Sequence, residues 1–462
     1  DYNAELYFYS GSGTYRYMAE DTTFQNMIFY GNRDQMYFYL QGYSLTIGEN
    51  VTMQNYATSN TNQGLLGGNA PAFHIFCGWN QYNYSTLPRK DAEVIIKSGT
   101  YGRIVGGGSP GTSSGQGQQI SHDFMGSSKS DSFNITITID IQNSTTSNQY
   151  DYDVNLLTGG SAAGNNYSNV VQNIKNGSVG RLIGGSIGDS AYRPRNWNYP
   201  ENTFLGTATI NVTGGSIDEL YGGCLGRNMD VVGSSYASGN TCDSYFYGTV
   251  NINISGGRIE SNIYGAGAGG VTGYSPNSSD PYKNYGQEFD TGVEINITGG
   301  TIEGDIFGGG YGYTEYLNQN VTAVDGGTLY GDSTINISES PVINGNIYAS
   351  GCGYNYRNKQ EIAQMEGNSI INISGTPDLN GTIFGAGNGV SGYTEMAKLI
   401  GTSTVNISTD LDTEIYGGGN VAKVEGNTNI NIINGTHTSA IYGGGNIGEI
   451  QGTSTVNING GT

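Results

Sequence analysis

The sequence predicts an all-β fold, a parallel β-helix or solenoid with about three short strands per coil. Three observations carry that expectation. One phrase recurs from about residue 206 to the end of the chain, and within each copy apolar and polar residues alternate with a period of two. The composition is rich in Gly (77 of 462 residues) and Tyr (36) and poor in Pro (9), with 35% hydrophobic and 12% charged residues. Eighteen Lys and Arg against 39 Asp and Glu leave a net charge of −21, which argues against a nucleic-acid partner because affinity for phosphate backbones comes from basic side chains. So few charges also argue against a disordered polyanion. No stretch reaches the roughly 20 continuous apolar residues of a membrane-spanning helix.

The phrase reads GTATINVTGGSIDELYGGC (206–224), GTVNINISGGRIESNIYGAG (248–267), GVEINITGGTIEGDIFGGG (292–310) and DSTINISESPVINGNIYASG (332–351). It continues as NSIINISGTPDLNGTIFGAG (368–387), TSTVNISTDLDTEIYGGG (402–419), NTNINIINGTHTSAIYGGG (427–445) and TSTVNINGGT (453–462). Its central Asn falls at 211, 253, 296, 336, 372, 406, 431 and 457, giving intervals of 42, 43, 40, 36, 34, 25 and 26. The phrase keeps its length while the interval shrinks. A bare unit of about 25 residues therefore carries long insertion loops at one fixed corner, after the Gly-rich end, as solenoid repeats do. Weaker copies are AEVIIKSGTYGRIVGGG (92–108), SFNITITIDI (132–141) and VVQNIKNGSVGRLIGGS (170–186).

Within a unit, Val250, Ile252 and Ile254 face inward while Asn251, Asn253 and Ser255 face out. Gly256-Gly257 permits a turn with positive φ, Ile259 marks a second short strand, and Ile263-Tyr264 lead into the next Gly run. One unit buries no core alone; stacking gives each strand a parallel neighbour about 4.8 Å away. Residues 1–90 are Tyr-rich and irregular (Tyr7, Tyr9, Tyr15, Tyr17, Tyr37, Tyr39, Tyr43) and are expected to form a cap with atypical first coils. Residues 91–462 are expected to form the β-helix, which continues past the C-terminal end or stacks on another subunit. A chain that opens at Asp1 without Met reads as a mature or excised product.

The phrases N-I-S-G-G and I-Y-G-G-G, repeated over roughly residues 92–462, give the chain a family likeness. It resembles the right-handed parallel β-helix (pectin-lyase-like) superfamily, and more closely the long Gly/Asn/Thr-rich solenoid segments of bacterial cell-surface and adhesin-type proteins. The likeness is architectural. It implies an extracellular location, and it brings polysaccharide lyases and hydrolases into view as relatives. Those enzymes cluster Asp with a basic residue on one sheet across adjacent coils. The outward strand positions of the regular repeats here are Asn, Thr and Ser instead.

Equivalent positions of a β-helix form columns. The first holds Asn211, Asn253, Asn296, Asn336, Asn372 and Asn406, each followed two residues later by Ser or Thr. These match the N-glycan acceptor pattern, as do Asn83, Asn134, Asn166, Asn277 and Asn320. Stacked amides that hydrogen-bond along the column are the architectural reading, and glycan acceptors the other. The second column is Tyr221, Tyr264, Phe307, Tyr348, Phe384, Tyr416 and Tyr442, read as a ring stack, with a sugar-binding strip as the alternative. The third column is acidic: Asp218, Glu260 and Glu303, with Glu219 and Asp305 nearby. It reads as a solvated face, the alternative being calcium between the coils.

Catalytic motifs are thin. Gly107-Gly108-Ser109-Pro110-Gly111 matches nucleophile-elbow spacing without a strand-to-helix context, and His74, His122 and His437 lie in unrelated phrases. The sequence thus assigns no catalytic, cofactor or metal residue. Cys224 and Cys242 flank one insertion and are a disulfide candidate, while Cys77 and Cys352 read as small buried groups. The insertions carry Tyr236, Tyr245, Tyr247, Tyr274, Tyr282, Tyr311, Tyr313 and Tyr316, side chains that give contact area at low entropic cost. The functional expectation is an extracellular structural or adhesive solenoid, a stalk or fibre segment. Its expected partners are a glycan or protein at the Tyr-rich loops, and further copies end to end. The alternative is a polysaccharide-active β-helix enzyme.

Overall fold

A strand with one apolar face satisfies its backbone only when both edges are paired. The structure, a computed structural model, solves this by stacking. It describes residues 4–8, 14–31, 35–55, 72–78, 91–108, 134–143, 152–161, 166, 168–187, 202–226, 244–273, 291–312, 326–354 and 363–461. Every named strand among them pairs in parallel with its counterpart in the neighbouring coil, and these residues contain no helix. The fold is a parallel β-solenoid.

Two rows of strands run the length of the molecule. Twelve successive pairings join the thirteen strands of the first row: Thr22–Phe24, Leu45–Ile47, Ala92–Ile96, Asn134–Asp140, Asn169–Asn176, Ala208–Val212, Thr249–Ile259, Gly292–Ile302, Asp332–Ile337, Ser369–Ile373, Ser403–Ser408, Thr428–Asn434 and Ser454–Ile458. Twelve steps of about 4.8 Å make this row roughly 58 Å long. The second row begins at Thr14–Tyr17 and passes through Tyr101–Val105 and Ser216–Tyr221 to the two-residue strands Ile263–Tyr264, Ile306–Phe307, Ile347–Tyr348, Ile383–Phe384, Ile415–Tyr416 and Ile441–Tyr442.

The third strand changes place along the chain. In the first coils it lies between the first and second rows, as Ala4–Phe8, Met27–Gly31 and Val51–Asn55. Later it lies between the second row and the next first-row strand, as Asn202–Leu205, Ser244–Tyr247, Val271–Thr272, Leu329–Tyr330, Met365–Glu366 and Leu399–Ile400. Residues 227–243, 313–325 and 355–362 join the second row to this strand, whereas 274–290 join it to the following first-row strand. Extra length thus enters on either side of the short third strand, where the sequence suggested one corner.

The alternation does what its period requires. Val250, Ile252 and Ile254 are at most 1% exposed, while Asn251 and Asn253 are half-buried and Ser255 is exposed. Ile252 stands in register with Ile210 on one side and Ile295 on the other, and Ile335, Ile371, Val405 and Ile430 continue the column. Each fully buried aliphatic side chain of this kind contributes about 1.5–3 kcal/mol. From Ser333 onward the first inward position changes from Val293 to Ser333, Ser369, Ser403 and Thr428. Ser369, Ser403 and Thr428 donate across the interior to the carbonyls of Gly385, Gly417 and Gly443 at 2.6, 2.7 and 2.6 Å. The Gly runs have a steric cause. A Cβ on Gly222 would lie 2.1 Å from the carbonyl oxygen of Gly265 in the next coil.

Candidate functional site

The outward face of the first row carries a continuous ladder of amides. Asn211 donates Nδ2 to Oδ1 of Asn173 at 2.9 Å, Asn253 to Asn211 at 2.9 Å and Asn296 to Asn253 at 3.0 Å. Asn336, Asn372, Asn406 and Asn431 each donate to the preceding Asn at 2.8 Å, and Asn457 donates to Asn431 at 2.9 Å. Asn has both a donor and an acceptor in one planar group, so identical residues repeated at one strand spacing satisfy one another. The ladder is longer than the acceptor pattern, because Asn173, Asn431 and Asn457 join it without that pattern. The Nδ2 that a glycan would occupy is a rung donor in each of the six column residues. Asn134 is exposed, and Asn166 is fully buried with its Oδ1 accepting from Ser168 N. Asn83, Asn277 and Asn320 lie outside the described residues.

A second Asx device works at the corners, and the sequence gives little sign of it. Asp91, Asn169, Asp332, Asn368 and Asn427 each accept, through Oδ1, a backbone N–H of the next coil. Asn262, Asp305 and Asn346 do the same for residues 305, 346 and 382. Burial raises the pKa of Asp305, opposed by the backbone and side-chain hydrogen bonds from Asn346.

The aromatic column stacks. Ring centroids from Tyr221 through Tyr264, Phe307, Tyr348, Phe384 and Tyr416 to Tyr442 are 5.1, 5.1, 4.8, 4.9, 5.1 and 4.6 Å apart, with planes inclined by at most 13°. The rings from Tyr221 to Phe384 belong to a buried cluster separate from the axial core, with Ile183, Ile187, Leu225 and Ala268, and Tyr416 packs against it. From Tyr221 to Phe384 they are 1–5% exposed; Tyr442 is 44% exposed. Tyr311 stacks on Tyr264 at 4.9 Å and meets Tyr354 edge-on.

The acidic column is paired. Asp218 accepts from the Tyr152 hydroxyl and the Ser261 hydroxyl, each at 2.8 Å. Arg258 bridges Glu260 at 2.8 Å and Glu303 at 2.7 Å, and Asn344 donates to Glu303 at 2.8 Å. Arg181 pairs with Glu219 at 2.9 Å. The pairs Arg181–Glu219 and Arg258–Glu303 are absent from any single phrase, because each partner comes from a different repeat, whereas Arg258 and Glu260 share one. Among the described residues no three or more His, Cys, Asp or Glu side chains converge as metal ligands. Farther along, Glu395, Lys398, Lys423 and Glu425 close a four-membered ion ring with N–O distances of 3.0–3.3 Å. Burial works to raise the pKa of Glu395 and Glu425, but hydrogen bonds and charge from the two lysines outweigh it and hold both lower.

Of the loop tyrosines, Tyr245 and Tyr247 lie on the strand Ser244–Tyr247, where Tyr245 is half-buried and Tyr247 fully buried. The third strand thus begins inside what reads as an insertion. Tyr311 bridges Ala268 and Cys352 on neighbouring coils. Tyr236, Tyr274, Tyr282, Tyr313 and Tyr316 lie outside the described residues, as do Cys242 and His122. Cys224 is a buried free thiol that accepts from Ser186 N, and burial pushes Cys77, Cys224 and Cys352 up to about 12. His74 and His437 are not brought together with a nucleophile or a carboxylate. No helix among the described residues is long and apolar enough to cross a membrane.

The repeated side chains are therefore occupied mainly with one another, coil to coil. No protein-family model, curated protein or solved structure matches the chain.

Proposed function

We propose that the chain is an extracellular structural and adhesive solenoid of the right-handed pectin-lyase-like type, a stiff stalk or fibre segment that presents its Tyr-rich loops to glycan or protein partners. The observation that carries this reading is the continuous Asn ladder from Asn173 to Asn457. An outward face that repeats one amide, and uses it for coil-to-coil bonds, serves rigidity along the axis rather than chemistry at a point. The stacked rings on another face serve the same end. A spacer of roughly 58 Å with lateral loops is the geometry that surface display requires.

The second reading is a polysaccharide-active enzyme. In its favour stand the acid–base pairs of adjacent coils, Arg181 with Glu219 and Arg258 with Glu303, the latter arginine also holding Glu260 of its own coil. Against it, every carboxylate in that group already has a hydrogen-bond partner. Glycan and protein arrays probed with the folded chain, together with a reducing-end assay on a panel of polysaccharides, separate the two. The adhesive reading expects retention on a defined ligand without cleavage. Retention on nothing, with new reducing ends from one polymer, would overturn it.

A further inference from the structure

Asparagine followed by glycine recurs at the corners of the coil, and the pairs differ in what holds the side-chain amide. Asn176 donates Nδ2 to Asp140 at 2.7 Å, Asn344 to Glu303 at 2.8 Å and Asn380 to Asn344 at 2.9 Å, while Asn388 accepts from Asn420 at 3.2 Å. Asn434 is different. It is exposed at the end of the strand Thr428–Asn434, and its side-chain amide makes no hydrogen bond among the described residues. Gly435 follows with φ 103°, and its N–H donates to no backbone carbonyl there. The imidazole Nε2 of His437 lies 3.3 Å from the backbone oxygen of Asn434. A carbonyl oxygen only accepts, so Nε2 carries the proton in this bond.

We propose that Asn434 is a site of self-modification through a succinimide, ending as aspartate or isoaspartate, and that His437 is its positioning residue. The nucleophile is the Gly435 nitrogen once it has lost its proton to solvent. The negative charge of that amidate is shared with the Asn434 backbone oxygen, the atom that His437 faces. A hydrogen bond to an ionised acceptor is stronger than one to a neutral carbonyl, so the imidazole N–H favours the reactive form. The Gly435 nitrogen then attacks Cγ of Asn434; the N–Cγ bond forms, the Cγ–Nδ2 bond breaks, and Nδ2 leaves as ammonia with a solvent proton. Water opens the ring at either carbonyl. The net change is asparagine plus water to aspartate or isoaspartate plus ammonia, without redox.

Glycine is held at 435 for its own reason: a Cβ there would lie 2.1 Å from the Thr409 oxygen, at a positive φ. The corner therefore keeps the one following residue that obstructs ring closure least. Isoaspartate adds a carbon to the main chain where Asn434 pairs with Ser408, so it alters the register between these coils.

The test is peptide mapping by mass spectrometry, with electron-based fragmentation to tell aspartate from isoaspartate, on the full chain incubated at neutral pH. Asn434 is expected to convert faster than Asn344 or Asn380. His437→Phe is expected to slow Asn434 about tenfold, equivalent to about 1.4 kcal/mol, and to leave Asn459, likewise exposed and followed by glycine, unchanged. His437→Gln, which retains an N–H donor, is expected to keep most of the rate, and circular dichroism confirms that both variants are folded. Conversion of Asn434 no faster than that of Asn344, or the same rate with His437→Phe as with histidine, would overturn the proposal.

Discussion

The side-chain amide of Asn253 donates to that of Asn211 at 2.9 Å across 42 residues of sequence. The same bond recurs from coil to coil, so removing an interior rung breaks two bonds and strands a donor on one side and an acceptor on the other. Asn372→Ala, which strands Asn336 Oδ1 and Asn406 Nδ2, is expected to destabilise the fold by about 1–3 kcal/mol. Asn457→Ala, which loses a single exposed bond, is expected to cost much less. Urea unfolding of the two variants under the same conditions checks the difference.

Phe307 lies between Tyr264 and Tyr348 at 5.1 and 4.8 Å and is 1% exposed. Phe307→Ala therefore opens a cavity in the stack and is expected to cost about 3–5 kcal/mol. Tyr442 has one stacked neighbour and is 44% exposed. Its replacement by Ala is expected to cost less than half as much, as thermal unfolding of both variants will show.

Gln172 interrupts the apolar column between Ile137 and Ile210. It is fully buried, its Nε2 donates to the Ile183 carbonyl at 3.1 Å, and its Oε1 has no partner. That carbonyl also accepts from Gly159 N, so it keeps a partner when the glutamine is removed. Gln172→Leu is expected to be neutral or to stabilise by about 1 kcal/mol, since it removes an unsatisfied polar atom at similar volume. A clear loss of stability in urea would assign the glutamine a role beyond packing.

His74 is 4% exposed, stacks on Tyr37 with centroids 5.1 Å apart, and has no hydrogen-bond partner on either ring nitrogen. It stands in register with Arg103. Burial first, and then the charge of Arg103, lower its pKa from 6.5 to about 3. Between those values the unfolded chain binds a proton that the folded chain refuses, so stability is expected to fall as pH drops through this window. The slope approaches about 1.4 kcal/mol per pH unit. His74→Phe is expected to flatten the urea midpoint between pH 6.5 and 5.5, above the range in which ordinary carboxylates titrate.

The repeat made the parallel coil legible, because Ile252 and Ile295 occupy the same place in successive phrases. The stacking of Tyr264 on Phe307 was legible for the same reason. What escaped sequence reading lies where partners come from different phrases. The pair Arg258–Glu303 joins two coils, and the ring of Glu395, Lys398, Lys423 and Glu425 joins the turn before one first-row strand to the turn before the next. Ser369 and Ser403 share the inward parity of Ile371 and Val405, but the glycine carbonyls that accept their hydroxyls across the interior are identified only once the coil has closed. Tyr247 looked like part of an insertion, since a four-residue strand is too short to show a period of its own.

Nitroxide labels on outward positions of the first row measure the stacking directly. Thr209, Asn251, Glu294, Thr334, Ile370 and Thr404 stand in one register column. Pulsed electron resonance between labels at 209 and 334 and between labels at 209 and 404 is expected to give separations in the ratio of three to five coils, about 14 and 24 Å before allowance for the label arms. Separations unrelated to the number of intervening coils would contradict the solenoid itself.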